Sequence, residues 1–306
     1  MYILILGSGA GGGVPQWNCH CDNCAGCRNK TLPVRERTQS SIAVSSNRKD
    51  WVLINASPDI RQQINQSPLL WPADGQQRGT AIKSIILTDS QIDHTTGLLT
   101  LREGLPLPVY CTDVVYEDLS TAFPVFPMLK HWHGGLQRRA IGTTHEPGFQ
   151  VEGVAGLTFH PVVLESNAPP YSKYRDNIVD GNNIGLQIVD NATGKSVFYA
   201  PGCVQASDLV KNMLEQSSCA LFDGTLWLDD EMIQKGFSNR LGSQMGHMPV
   251  NGPDGTVALL QEYDIERKIL IHINNTNPVL DESSTANAYL RDNGIELAYD
   301  GMQITI

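Results

Sequence analysis

Short apolar runs closed off by glycine, proline, asparagine or aspartate recur along the chain, the signature of strands buried on both faces. Tyr2 to Leu6, Trp51 to Asn55, Ser84 to Thr88, Val109 to Cys111, Gly185 to Val189, Ser196 to Ala200, Cys219 to Phe222 and Ile269 to Ile273 read this way. Between them, Asp59 to Gln66, Val114 to Ala122, Gln205 to Gln216 and Gly255 to Tyr263 carry apolar residues at three- and four-residue spacing, which predicts helices. Asp281 to Asn293 predicts a last helix before a short final strand. The pattern is an α/β alternation with no internal period and no linker, so it predicts one domain over residues 1–306. Ser166 to Asn183 is polar and predicts a long surface loop. Periodicity alone does not separate a pair of packed sheets from a doubly wound sheet.

Composition narrows the partners. With 306 residues and 41% hydrophobic content the chain can bury a large core, and a net charge of −10 without a basic patch argues against nucleic acid and anionic membranes. The apolar start MYILIL is too short for a secretory segment, and no run approaches a membrane span, so a cytoplasmic location is expected. The oligomeric state is not readable.

Four of the seven cysteines, Cys19, Cys21, Cys24 and Cys27, form C-x-C-x-x-C-x-x-C. Thiolates this close can wrap a zinc ion tetrahedrally, and a site filled by four protein ligands staples a loop (about residues 17–29) rather than catalysing. A distant residue such as His247 or Asn275 is the alternative fourth ligand in place of Cys27. Cys111, Cys203 and Cys219 are scattered and read as buried thiols. Gly7-Ser-Gly9-Ala-Gly11-Gly12 satisfies a dinucleotide-binding spacing, but it runs into Gly13-Val14-Pro15 and the cysteines instead of a helix. Glycines that let the backbone pass close to a neighbouring site are the better reading.

The strand ending in Thr88 is followed by Asp89-Ser-Gln91-Ile-Asp93-His94-Thr-Thr-Gly97. This segment resembles the H-x-H-x-D-H motif of the metallo-β-lactamase superfamily, which implies a four-layer αββα sandwich with two mixed sheets. Asp89 and Gln91 stand where the superfamily has its first two histidines, whereas Asp93 and His94 keep the pair that holds the second metal. Ser166 stands where a further first-metal histidine is expected, and Cys203 where the bridging aspartate is. His272 ends a strand, as the last second-metal ligand does. Two histidines and one carboxylate with open positions suit non-haem Fe(II) handling O2, although hydrolysis by one metal is also open to such a set.

Gly9-Ala-Gly-Gly-Gly-Val-Pro-Gln-Trp-Asn-Cys19, Leu87-Thr-Asp-Ser-Gln-Ile-Asp-His94, Gly246-His-Met-Pro249 and His272-Ile-Asn-Asn-Thr-Asn-Pro278 together resemble the pyrroloquinoline quinone (PQQ) biosynthesis protein B family across nearly the whole chain. The resemblance implies action on a cross-linked Glu-Tyr precursor of PQQ. Its implied role is either iron-dependent ring hydroxylation or non-catalytic help in moving PQQ or its precursor to the periplasm. A phosphodiesterase-like hydrolase is a third reading, weakened by the missing histidines.

Under the oxygenase reading Asp93, His94 and His272 bind Fe(II) or another divalent metal, and His247 in its Gly-His-Met-Pro turn is the candidate acid/base group. Asp89 and Gln91 become pocket residues, and Asp223 a candidate to orient a histidine. Lys173 and Arg175 are candidates for meeting substrate carboxylates, a solvated face being the alternative. His131-Trp-His133 receives no role.

Overall fold

A computed structural model describes residues 1–306. Fourteen strands form, in chain order β1 (Tyr2–Gly7), β2 (Ser41–Ser45), β3 (Trp51–Ile54), β4 (Ile82–Ile86), β5 (Leu107–Cys111), β6 (Leu136–Ala140), β7 (Phe149–Val151), β8 (Val154–Val163), β9 (Ile184–Asp190), β10 (Ser196–Ala200), β11 (Cys219–Asp223), β12 (Arg267–Ile271), β13 (Ile295–Leu297) and β14 (Gln303–Thr305). They make two seven-stranded sheets, ordered β14-β1-β2-β3-β4-β5-β6 and β13-β12-β11-β10-β9-β8-β7. Both are mixed. The first is antiparallel from β14 to β3 and parallel from β3 to β6. In the second, β7 to β10 are antiparallel and β10 to β13 parallel.

Side-chain alternation along each strand builds the layers. In β3, Val52 and Ile54 join the core between the sheets while Trp51 and Leu53 face the other way, into a cluster under helices. β10 repeats this in the second sheet, with Val197 and Tyr199 inward and Phe198 and Ala200 outward. Such strands are apolar on both faces, which is why they read as continuous hydrophobic runs. The result is helix, sheet, sheet, helix, the four-layer sandwich that the resemblance implied.

The expected helices form as Ile60–Asn65, Asp113–Asp118, Asp208–Glu215, Thr256–Gln261 and Thr285–Asp292. No helix is long and apolar enough to cross a membrane. Several strands without a clean apolar run, among them β2 and β6, were not legible. β6 reads Leu-Gln-Arg-Arg-Ala because it is an edge strand, where partly exposed polar side chains are tolerated.

Parallel strands send their C-terminal ends to one rim of the sandwich. The segments following β4, β10, β11 and β12 meet there. At this rim Ile184 N donates to Thr88 O at 2.9 Å, tying the start of β9 in one sheet to the end of β4 in the other. The glycine-rich start is drawn in as well, through Ala10 N to Ile273 O at 2.8 Å and Ile273 N to Ser8 O at 3.0 Å.

Candidate metal centre

Asp93 and His94 lie on a one-turn helix, Ile92–Thr95, directly after the loop that follows β4. Gly97 closes the motif because a side chain there would meet Ser57 O at 2.2 Å, so only glycine lets the turn pack against residues 56 and 57. His272 stands just past β12 with φ of 62°, a left-handed conformation unusual for histidine. Its backbone is held there by Ile273, bonded to Ser8.

The structure brings Asp93, His94 and His272 together, with one ligand atom from each within 4.8 Å of the others. His272 Nε2 is 3.4 Å from Asp93 Oδ2, and the rings of His94 and His272 meet edge to face at 5.4 Å. His247 joins them, its ring stacked on that of His272 at 5.2 Å. The cavity they line measures about 230 Å³ and includes Asp89, Gln91, Ser166, Asn183 and Asn274.

Each of the three imidazoles is fixed from behind through Nδ1. His94 Nδ1 lies 2.8 and 2.9 Å from the two Asp89 oxygens. His247 Nδ1 is 2.8 Å from Asp223 Oδ2. His272 Nδ1 is 2.9 Å from Thr225 Oγ1, whose own proton goes to Asp223 Oδ1 at 2.6 Å. These partners place a proton on Nδ1 of each ring, so that in the neutral ring Nε2 carries the lone pair. Nε2 of His94 is buried without any hydrogen-bond partner. A buried orphan nitrogen beside a carboxylate and a second imidazole is costly unless something fills the gap, and a divalent cation fits this donor set.

The charges agree. Burial works against the Asp93 carboxylate, yet His94 and His272 overcome it and hold the group well below the usual carboxylate range. Burial also opposes a charge on His94, but Asp89 and Asp93 outweigh it and push His94 up to about 9. His272 is shifted down, burial leading. His247 is shifted up despite burial, because Asp223 faces it.

The expected pocket residues take definite places. Asp89 accepts from Thr88 Oγ1, Gln91 N and His94 Nδ1, so it positions His94. Gln91 Nε2 donates to Asn167 O at 3.0 Å and ties down the loop opposite. Cys203 turns away from the cavity, buried, with Sγ 3.2 Å from Gln205 O. Gly11 lies against Asp93, where an added Cβ would stand 3.3 Å from Oδ2, so the glycine-rich start lines the site. Lys173 pairs with Glu117, and His131 and His133 are exposed.

At the N-terminal loop Cys19, Cys21 and Cys24 form a second group with sulfurs within 4.8 Å of one another. Cys27, expected as the fourth thiolate, is not brought into it. Cys19 and Cys21 precede the helix Asp22–Asn29 and Cys24 is in its first turn, whereas Cys27 lies one turn on, about 4.5 Å farther along the axis. The Asn275 amide stands over the three sulfurs instead, with Nδ2 at 3.1 Å from Cys19, 3.6 Å from Cys21 and 3.3 Å from Cys24. Asn275 had been one of the alternatives as a fourth ligand, but here its amide nitrogen is a hydrogen-bond donor to the sulfurs. Thr225 was missed altogether, and its only sequence signal is its place two residues after Asp223 at the end of β11.

Two mixed sheets between helices, with a metal-type site on one rim, define a metallo-β-lactamase fold. The Beta-lactamase superfamily domain profile matches residues 50–273. Coenzyme PQQ synthesis protein B of Acinetobacter baumannii (strain ACICU) is 51% identical over 100% of both chains, and that of Ectopseudomonas mendocina (strain ymp) is 53% identical over 100% of both. The crystal structure of Zn(2+)-bound PqqB from Methylobacterium extorquens superposes with a TM-score of 0.91 at 37% identity, covering 100% of each chain. A diphosphatase of the PhnP family shares the fold, with a TM-score of 0.68 at 19% identity over 99% of this chain and 96% of that one. The chain belongs to the coenzyme PQQ synthesis protein B family.

Proposed function

We propose that this protein acts in PQQ biosynthesis by hydroxylating the tyrosine-derived ring of a cross-linked Glu-Tyr precursor at a mononuclear iron site formed by Asp93, His94 and His272. The observation that carries the reading is the buried, unpartnered Nε2 of His94, aimed beside Asp93 and His272 while Asp89 holds the ring from behind. Zn(2+) in the relative from Methylobacterium extorquens supports divalent metal binding by this family. Bound Fe(II) would supply O2 activation, which two imidazoles and one carboxylate with vacant positions suit.

The remaining residues bind and orient. Asp89 and the Asp223–Thr225 pair keep the Nε2 lone pairs of His94 and His272 available. His247, fixed at Nδ1 by Asp223, presents Nε2 to the cavity as the atom that takes a phenolic proton from the ring and returns it. Asp89 and Gln91 occupy the positions of the superfamily's first metal, and their side chains are engaged with His94 and Asn167. That engagement weighs against a dinuclear hydrolase.

The test is anaerobic Fe(II) loading followed by addition of precursor peptide, O2 and a two-electron reductant, with product mass read for added oxygen. Addition of one oxygen atom per hydroxylation is expected, lost in Asp93→Ala and His272→Ala. Fully iron-loaded protein that leaves the ring unchanged sinks the proposal. Stoichiometric PQQ binding that survives both substitutions, without turnover, would identify a carrier instead.

A further inference from the structure

The cavity is lined by carboxylates, imidazoles, amides and apolar groups, and by no lysine or arginine. The cations stand one layer out, on two loops laced together over the rim. Ser166 Oγ donates to Gly246 O at 3.0 Å and Asn167 Nδ2 to Gln244 O at 2.9 Å. The lacing continues inward, because cavity-lining Gln91 donates to Asn167 O.

Two guanidiniums are fastened to this lacing. Arg240 Nη2 donates to Gln244 O, the same carbonyl that receives the Asn167 amide, and Arg175 Nη1 donates to Ala168 O, one residue further on. Both arginines are therefore anchored next to Asn167, one on the carbonyl that its amide reaches and one on the carbonyl of the residue after it. Their mutual repulsion is felt: after burial, Arg240 is the leading influence that makes the Arg175 charge harder to hold, with Asp176 opposing it.

Neither group is neutralised by an ion pair. Arg35, Arg102, Arg138, Arg139 and Arg267 each meet a carboxylate, and Lys173 on the same loop is taken by Glu117. A guanidinium has five N–H donors, so a carbonyl contact leaves each arginine most of its fork for a planar anion. On a chain of net charge −10, a local positive pair beside the cavity is also what would capture an acidic ligand.

We propose that Arg175 and Arg240 form a carboxylate subsite on the rim of the metal cavity, taking an acidic arm of the substrate so that its aromatic ring is aimed at Asp93, His94 and His272. This rests on the reading that the cavity accepts a PQQ-related polycarboxylate. It makes the two arginines specificity-determining residues outside the cavity lining.

The test compares binding of PQQ, a tricarboxylate, with binding of its uncharged trimethyl ester to the full chain, followed by calorimetry. Wild-type protein is expected to prefer PQQ. Arg175→Ala and Arg240→Ala should each weaken PQQ about tenfold and leave the ester unchanged, and the double variant should lose the preference. Unchanged ester binding also reports that the variants are folded. A double variant that binds PQQ as wild type does overturns the subsite and leaves the cavity reading standing. Wild-type protein that binds neither compound overturns both.

Discussion

Nδ1 of His94 lies 2.8 Å from Oδ2 of Asp89, five residues earlier in the chain, so the carboxylate stands behind the imidazole ring. A carboxylate behind an imidazole fixes its tautomer and raises its basicity, and losing such a partner typically costs about 10- to 100-fold in metal affinity. Asp89→Ala is expected to weaken binding of one divalent metal by that factor and to leave any metal held by Cys19, Cys21 and Cys24 in place. A competition titration with a chromophoric chelator measures it. Unchanged affinity would show that His94 is held by something else.

Thr225 serves two histidines with one hydroxyl. Its oxygen is 2.9 Å from His272 Nδ1 and 3.0 Å from His247 Nδ1, and its proton goes to Asp223. Thr225→Val keeps the volume and strands these buried partners, so a loss of about 1–3 kcal/mol in stability is expected. Metal affinity should fall with it, and Thr225→Ser should restore both. A valine variant equal to wild type in a denaturant melt and in metal titration would remove Thr225 from the site.

The sequence carried the candidate ligands and one support, Asp223, but not Thr225. Asp93 and His94 follow a strand in a recognisable spacing, and His272 ends one, so their chemistry is local. Thr225 reaches His272 across 47 residues of chain and Asn275 reaches Cys19 across 256, contacts that no periodicity encodes. Cys27 misled for the converse reason. Its spacing matches a four-cysteine site, but the helix beginning at Asp22 carries it one turn past the other sulfurs. The sandwich itself was read from the resemblance, since apolar strands alone suit several layerings.

That difference at the cysteine loop is measurable. Cys27→Ser should retain zinc, whereas Cys19→Ser, Cys21→Ser and Cys24→Ser should each lose it and soften the loop. Asn275→Ala removes the amide that spans the three sulfurs and should weaken zinc without abolishing it. Elemental analysis after dialysis against a mild chelator distinguishes them, and loss of zinc from Cys27→Ser would restore Cys27 as a ligand.

Cys111, Cys203 and Cys219 are buried, and burial pushes each thiol up to about 12. The thiolate is the reactive form, so at about pH 8 these groups should be inert towards a disulfide reagent in the folded, metal-loaded protein. All three should react once the chain is unfolded. Fast labelling of Cys203 in the native state would mean that the segment after β10 opens, contrary to its packing.

Metal binding should release a proton from His94. In the metal-free protein its folded value of about 9 lies above the ordinary 6.5, because Asp89 and Asp93 outweigh burial. A raised value means the charged ring stabilises the metal-free fold; that contribution is complete below about 6.5 and is lost as pH rises through about 9. The metal needs the neutral ring, so this one group makes affinity climb about tenfold per pH unit across that window and level off above it. His272 is shifted the other way and is already neutral there, so it adds no release. Calorimetry in buffers of unlike ionisation enthalpy should give about one proton per metal near pH 7.5 and only about a quarter of one near pH 9.5. Equal release at both pH values would mean that His94 is not the ring the metal displaces a proton from.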